Sequence, residues 1–302
     1  MVEAVAHATG KIIQTMLEKG AAYALNLDVK ASAEITEKGK GVAGKVAPYI
    51  KKAALETLKL FDCEKYGVSL SVESSIPANA GLGETEASSV AAVLAVTGAL
   101  ARKHGTVNEL KIDKFMREQY MVVDGRLADK KKLLNICPGE YDRIFASLYG
   151  GFAVCDDRKK EVLRRGEMET MWAVIATPKK REKMEKDLLK IYRHEADIIW
   201  DECLKGNLYG AMRLSTLLYH DNLAPKMLVA GAFAADTSHP STIAFARDEK
   251  KAGGIAKAVR KEAVTMITKT VNQQAQALVK PVRIVKTKEF LETRGEQEYF
   301  FL

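Results

Sequence analysis

The most informative segment of the chain is Ile76-Pro77-Ala78-Asn79-Ala80-Gly81-Leu82-Gly83, a loop rich in turn-forming residues. Before it, residues 66–74 alternate between apolar and polar side chains, which predicts a half-buried strand. After it, residues 84–103 are apolar nearly all round, which predicts a buried helix. Glycines allow close backbone approach, and the unpaired N–H groups at a helix N-terminus attract phosphate. The segment is therefore either a phosphate-binding loop or a plain tight turn between a strand and a helix.

The composition indicates a globular protein with a basic charge. The chain has 302 residues, of which 47% are hydrophobic and 28% are charged, enough for one large domain or two of ordinary size. Lys and Arg number 47 against 39 Asp and Glu, and the net charge of +8 favours anionic partners such as nucleotides, phosphorylated metabolites or nucleic acid. No apolar run is long enough to span a bilayer, residues 1–20 lack the pattern of a signal peptide, and the four cysteines are dispersed. We therefore expect a cytoplasmic enzyme or binding protein with no membrane contact.

The rest of the chain alternates between strand and helix patterns. Strands are predicted at 23–36, 152–155, 161–165, 171–177 and 282–286, and as a pair around a polar turn within 227–247. Helices are predicted at 42–61, 107–122, 140–148 and 252–265, and across 179–222 with a break at Gly206-Asn207. This mixture predicts the α+β class, with a domain boundary near residues 165–178.

Several segments together resemble one known family. Ile76 to Gly83, with the small-residue helix after it, resembles the nucleotide-phosphate loop of the GHMP kinases, a superfamily that includes galactokinase and the homoserine, mevalonate and phosphomevalonate kinases. Gly139-Glu140-Tyr141-Asp142, with Gly150-Gly151 further on, looks like the segment that carries the catalytic aspartate of that family. Residues 4–13 and 25–28 look most like the archaeal shikimate kinase branch. The resemblance extends over residues 2–250.

The resemblance implies a two-lobed GHMP-kinase fold, with a ribosomal-protein-S5-like N-terminal lobe at 1–165, an α/β C-terminal lobe at 166–302 and a ligand cleft between them. It implies an ATP- and Mg²⁺-dependent kinase that phosphorylates a hydroxyl of a carboxylate-bearing small molecule. In such a kinase Asp142 would orient or deprotonate the acceptor hydroxyl, and Lys11 would stabilise the transferred negative charge. The nucleotide-binding residues implied by the match are Gly81, Leu82, Gly83, Thr85 and Ser88.

Two segments depart from the family pattern. These kinases place serines after Gly-Leu-x, whereas this chain has Glu84-Thr85-Glu86, whose carboxylates would repel phosphate or simply complement the helix dipole. The family has a glycine-rich turn where this chain has residues 234–241, whose side chains would hinder close backbone approach. A second interpretation therefore stays open: a pseudokinase of GHMP fold that binds or assembles a larger protein complex. Without the family, Lys11 also fits a solvated surface lysine, and Asp142 a salt bridge with Arg143.

Other clusters are weaker candidates for function. Asp236, Ser238 and His239 have the residue types of a nucleophilic triad, but they lie in one short segment, whereas a triad forms by convergence of distant residues. His194-Glu195 and His220-Asp221 lack the spacing of metal ligands, so no metal site is predicted. The clusters of Lys and Arg have no interleaved aromatic residues, which favours solvated surfaces over nucleic-acid binding.

Overall fold

The computed structural model describes residues 1–13, 19–37, 39–104, 120–123, 126–180, 192–218 and 222–278. Its strands are β1 (Val2–Ile13), β2 (Lys19–Thr36), β3 (Gly41–Ala43), β4 (Gly67–Ser74), β5 (Tyr120–Val123), β6 (Arg126–Asp129), β7 (Phe152–Asp156), β8 (Glu161–Gly166), β9 (Trp172–Pro178), β10 (Ala234–Ser238), β11 (Ser241–Ala246), β12 (Ala263–Lys269) and β13 (Gln276–Leu278). Its helices are α1 (Pro48–Leu60), α2 (Glu84–His104), α3 (Lys130–Ile136), α4 (Tyr141–Tyr149), α5 (Arg193–Lys205), α6 (Leu208–Leu218), α7 (Leu223–Val229) and α8 (Glu249–Val259).

The larger sheet is built around the long strand β2. Its strand order is β13-β1-β2-β4-β3, and β7 also pairs with β2 and carries β8. The first residues of β2 pair with β7 and its last residues pair with β4, so β2 has two different partner strands along its length. Helix α2 packs against β1, β2, α1 and α4. Because it has neighbours on several sides, this helix is apolar nearly all round, in agreement with its sequence.

The second sheet is antiparallel and has the order β10-β11-β9-β12. Helices α7 and α8 cover it, and the core between them includes Val174, Met227, Ile255 and Val259. The two sheets meet where β10 packs against β1. Strand β1 also carries Lys11, one of the predicted site residues.

Most of the predicted elements are confirmed with small shifts at their ends. In the helical pattern predicted at 179–222, α5 and α6 are separated at Gly206-Asn207, whereas residues 181–191 and 219–221 lie outside the described residues. The predictions at 23–36, 66–74, 84–103, 140–148, 152–155, 161–165 and 171–177 correspond to β2, β4, α2, α4, β7, β8 and β9. The α+β class is therefore confirmed. Among the described residues, no helix is long and apolar enough to cross a membrane.

The prediction of a helix from residue 42 is wrong for its first turn. Residues 41–43 form β3, which pairs in parallel with β4, and the helix begins at Pro48. Proline is well suited to this first helical position because the N–H that it lacks would have no intrahelical partner there.

Two predictions in the C-terminal part are wrong at their boundaries. Residues 223–229 form α7, so the first strand of the pair predicted within 227–247 begins only at Ala234, and its turn is limited to residues 239–240. The helix predicted at 252–265 ends at Val259, and residues 263–269 pair with β9 as β12. The helix predicted at 107–122 lies largely outside the described residues, and its last described residues belong to β5; the strand at 282–286 lies outside them entirely.

Candidate active site

The loop 76–83 lies between β1 and the turn that joins β10 to β11. The backbone N–H of Thr9 donates a hydrogen bond to the carbonyl of Leu82 at 2.9 Å, and Ser241 Oγ donates to the carbonyl of Ala80 at 2.6 Å. Gly81 has a φ of 74°, and a Cβ there would lie 2.1 Å from the carbonyl oxygen of His239. Glycine is therefore required at position 81 by packing inside the protein, whether or not a ligand binds.

A polar cavity of about 350 Å³ opens beside this loop. It is lined by residues of the loop and by Glu84, Thr85, Glu86, Glu140, Arg143 and His239. The predicted Gly81, Leu82, Gly83 and Thr85 are among the lining residues, whereas Ser88 is buried one helical turn further along and is not. Another cavity, of about 260 Å³, lies between α5 and α6, has an apolar lining and contains none of the predicted site residues.

Lys11 and Asp142 come together in the interior of the protein, and neither lines the polar cavity. Lys11 extends from β1 and Asp142 lies in the first turn of α4, and both side chains are 0% exposed. Lys11 Nζ lies 2.6 Å from Glu140 Oε2 and 3.5 Å from Asp142 Oδ1. The alternative of a solvated surface lysine is therefore wrong. Asp142 Oδ1 accepts a hydrogen bond from the backbone N–H of Arg143, while the guanidinium of Arg143 pairs with Glu140.

A second carboxylate, Asp157, lies against Asp142 from the turn between β7 and β8. Its Oδ1 accepts a hydrogen bond from the backbone N–H of Asp142 at 3.2 Å. Burial and the charge of Asp142 raise the pKa of Asp157 to about 7. Burial also raises the pKa of Asp142, although the positive charge of Lys11 opposes that shift. Oδ2 of each carboxylate is buried and has no hydrogen-bond partner among the described residues.

Glycine at position 20 makes room for this arrangement. A Cβ at Gly20 would lie 2.6 Å from Cγ of Asp142, so β2 passes directly over the carboxylate. The contact explains why Asp142 is shut off from solvent.

The two acids after the loop have different surroundings. Oε1 of Glu86 accepts a hydrogen bond from the backbone N–H of Glu140 at 3.2 Å, at the start of α4. Gly139 leaves space for it, since a Cβ there would lie 2.3 Å from that oxygen. Burial raises the pKa of Glu86, which disfavours its charged form. The phosphate repulsion expected from Glu86 is therefore reduced, whereas Glu84 is partly exposed and lines the cavity.

Residues 236–241 connect the two sheets instead of forming a nucleophilic triad. Tyr23 OH donates a hydrogen bond to Asp236 Oδ2 at 2.5 Å, and the backbone N–H of Lys11 donates to Ser238 Oγ at 2.6 Å. Burial and the nearby Asp236 carboxylate raise the pKa of Tyr23 well above its usual value. The side chains that replace the glycines of the family pattern thus hold β10 against β1 and β2.

Sequence reasoning missed Asp157 and Gly20 and gave Arg143 only a role as a salt-bridge partner. Asp157 belongs to a hairpin turn, and nothing in its spacing from Asp142 indicates contact. A place for Arg143 in the site could have been predicted, because this residue directly follows the predicted catalytic aspartate. Its direction toward the loop depends on how α4 packs.

Comparison with known proteins finds relatives that are kinases. The chain is 26% identical over 275 residues to a shikimate kinase of Methanothermobacter thermautotrophicus, and the match covers 86% of this chain and 92% of that relative. Its fold matches homoserine kinase from Cytophaga hutchinsonii with a TM-score of 0.62 at 16% identity, over 92% of this chain and 97% of the other. Mevalonate kinase from Methanococcus jannaschii matches with a TM-score of 0.59 at 16% identity, and the match covers 89% of this chain and 98% of the other. No protein-family model matches the chain.

The fold and these matches define the class of protein. Its sequence relatives and structural neighbours are kinases of the GHMP superfamily, and the chain shares the two-lobed α+β fold of that superfamily. Within that superfamily it is similar to the archaeal shikimate kinases, and the resemblance extends over most of its length.

Proposed function

We propose that this protein is an ATP-dependent kinase that phosphorylates a hydroxyl of a carboxylate-bearing small molecule, with shikimate as the first candidate. The observation that carries the proposal is the buried pair of Lys11 and Asp142, which are 3.5 Å apart. Neither residue lines the cavity, but Lys11 Nζ lies 2.6 Å from Glu140, which does. An aspartate and a lysine beside a phosphate loop are the side chains that phosphoryl transfer to an alcohol requires. The sequence similarity to an archaeal shikimate kinase supports the choice of acceptor.

In the proposed reaction Asp142 Oδ2 accepts the proton of the acceptor hydroxyl. The acceptor oxygen forms a bond to the γ-phosphorus of ATP, and the bond from that phosphorus to the bridging oxygen of ADP breaks. Burial raises the pKa of Asp142, so the carboxylate is a better proton acceptor than an exposed aspartate once it is ionised. Lys11 places its Nζ 3.5 Å from the other oxygen of this carboxylate, Oδ1. Because Asp142 is fully buried, an acceptor reaches it only when neighbouring residues move aside.

Magnesium fits this site as a companion of ATP. Within the described ranges, no group of three or more His, Cys, Asp or Glu side chains could hold a metal ion. At nucleotide sites Mg²⁺ usually takes its ligands from phosphate and water and only one or two from the protein. Glu84 and Thr85 line the cavity and could supply a carboxylate and a hydroxyl oxygen.

The pseudokinase alternative is not favoured. Its support is the pair of acids after the loop and the absence of glycines at 234–241. The carboxylate of Glu86 is engaged by the backbone of Glu140, and Asp236 and Ser238 form hydrogen bonds between the sheets. The two lobes at 1–165 and 166–302 and the cytoplasmic location remain our proposals. The four cysteines, all buried and free, are consistent with a reducing compartment.

The first experiment is calorimetric titration of the purified protein with ATP and Mg²⁺, followed by an assay of ADP formation with shikimate and then other hydroxy acids. We expect binding, transfer to one of these acceptors, and a fall in kcat of about a hundredfold or more in Asp142→Asn. Glu161→Gln, which changes an exposed carboxylate at the start of β8, is the matched control and should retain activity. A folded protein that binds no ATP would contradict the proposal.

A further inference from the structure

The guanidinium of Arg143 is held beneath the loop 76–83. The residue is 6% exposed, and its Nε donates a hydrogen bond to Glu140 Oε2 at 2.8 Å. Its Nη1 donates to the carbonyl oxygens of Gly81 at 2.9 Å and Thr9 at 3.2 Å. None of these contacts uses Nη2. The side chain is thus fixed in orientation by the backbone around it and still has donors to offer to the cavity that it lines.

The charges around this cavity explain why an arginine matters there. Among the described residues that line it, Glu84, Glu86 and Glu140 are acidic, and Arg143 is the side chain with a permanent positive charge. Glu140 is already paired with Lys11, and Lys11 itself is 0% exposed, so the lysine does not reach the cavity surface. A phosphate in this cavity would therefore meet repulsion from Glu84 unless Arg143 compensated for it.

The position of Arg143 relative to helix α2 points to the same ligand. A Cβ at Gly83 would lie 3.3 Å from Arg143 Nη1, so the guanidinium is close to the residue that immediately precedes the helix. The first N–H groups of a helix and a guanidinium fork both attract phosphate oxygens. Arg143 and the start of α2 therefore face one cavity from neighbouring positions.

We infer that Arg143 binds the terminal phosphates of the nucleotide in this cavity, and that it supplies the donors that the family takes from the serines replaced here by Glu84-Thr85-Glu86. The inference rests on the proposed kinase function and adds a phosphate-binding residue to it. Arginine suits the role because its planar fork can donate to the protein and to a phosphate at the same time.

The test is a calorimetric comparison of the parent protein with Arg143→Met and Arg143→Lys, using ATP, inorganic tripolyphosphate and adenosine as separate ligands. We expect Arg143→Met to weaken the binding of ATP and tripolyphosphate about tenfold to a hundredfold and to leave adenosine binding unchanged. Arg143→Lys should recover part of the loss, because it retains the charge without the fork. Arg260→Met, at an exposed arginine after α8, is the matched control and should bind all three ligands like the parent.

Other results would contradict either the proposed kinase function or the role of Arg143. A parent protein that binds neither ATP nor tripolyphosphate would overturn the proposed function and this inference with it. A parent that binds ATP and an Arg143→Met variant that binds it equally well would overturn the inference alone, as would an equal loss for adenosine, which would indicate a structural role.

A second measurement uses the parent protein, in case Arg143→Met does not fold. In a crystal structure with a non-hydrolysable ATP analogue, we expect a phosphate oxygen within hydrogen-bond distance of the Arg143 guanidinium. Phosphates bound beyond that distance would overturn the inference.

Discussion

The electrostatics of the candidate site depend on two buried carboxylates and the ion pairs beside them. Asp142 and Asp157 are both buried, and each has one oxygen without a hydrogen-bond partner among the described residues. Two carboxylates in one low-dielectric environment are harder to ionise than either one alone. Lys11, Glu140 and Arg143 form the adjoining ion-pair network, in which Glu140 Oε2 contacts both cations. Burial alone would raise the pKa of Glu140, but the charges of Lys11 and Arg143 lower it overall. The charged form is therefore favoured for Glu140 and disfavoured by burial for Asp142.

The raised pKa of Asp157 predicts a pH-dependent gain in stability for Asp157→Asn. With a pKa near 7 in the folded protein and an ordinary value of 3.8, the folded state retains a proton between about pH 4 and pH 7 that the unfolded chain has released. The contribution of Asp157 to stability is therefore lost as the pH rises to 7. At pH 8 we expect Asp157→Asn to be more stable than the parent by about 1 to 3 kcal/mol, after allowance for partial solvent screening, and at pH 5 by much less.

Urea unfolding of the two proteins at pH 5 and pH 8 measures this difference. The exposed Glu161→Gln, in the same hairpin, should change stability little at either pH. A difference between Asp157→Asn and the parent that is the same at both pH values would show that Asp157 does not titrate in this range.

At the scale of elements, the sequence predicts best what is determined locally. The alternation in β4, the apolar helix α2 and the glycines between them are properties of neighbouring residues, so they could be recognised directly. The strand β12 could not, because Ala263 to Thr265 continue a helical pattern and become extended only through pairing with β9. The same holds for the candidate site. Asp142 can be proposed from a local motif, whereas Asp157 and Gly20 contact it only through the packing of β7 and β2.

The packing of the loop against the β10–β11 turn predicts that Gly81→Ala destabilises the protein. The added Cβ would lie 2.1 Å from the carbonyl oxygen of His239, and the φ of 74° is unfavourable for alanine. We expect a loss of more than about 2 kcal/mol in the free energy of unfolding. Thermal and urea unfolding would check this value.

Helix α8 offers the matched control for that change. A Cβ at Gly253 meets nothing within 4 Å, and its backbone is helical. Gly253→Ala should therefore stabilise the protein by about 0.5 to 1 kcal/mol, since alanine is the better helix former. If both variants changed stability by the same amount and sign, the close contact between Gly81 and His239 would be disproved.

At the scale of the whole molecule, the two sheets are joined at the same place as the candidate site. Ser238 and Asp236 of β10 bond to Lys11 of β1 and Tyr23 of β2, and the turn after them packs on Gly81. In the family, glycines in this segment let the backbone come close to the phosphates. In this chain the side chains of the segment form hydrogen bonds between the sheets instead. The junction includes a hydrogen bond to the backbone of Lys11, whose side chain pairs with Asp142.

The junction predicts strong coupling between Tyr23 and Asp236. Tyr23→Phe removes the hydroxyl that donates to Asp236 Oδ2, both side chains are buried, and a buried acceptor that loses its donor costs about 1 to 3 kcal/mol. In a double-mutant cycle with Asp236→Asn, we expect the two changes to be non-additive by at least about 1 kcal/mol in the free energy of unfolding. The same cycle on kcat tests whether the junction positions Lys11: coupling in stability and in kcat together supports that dependence. Coupling in stability without any in kcat would show that the junction holds the sheets together and leaves the chemistry untouched.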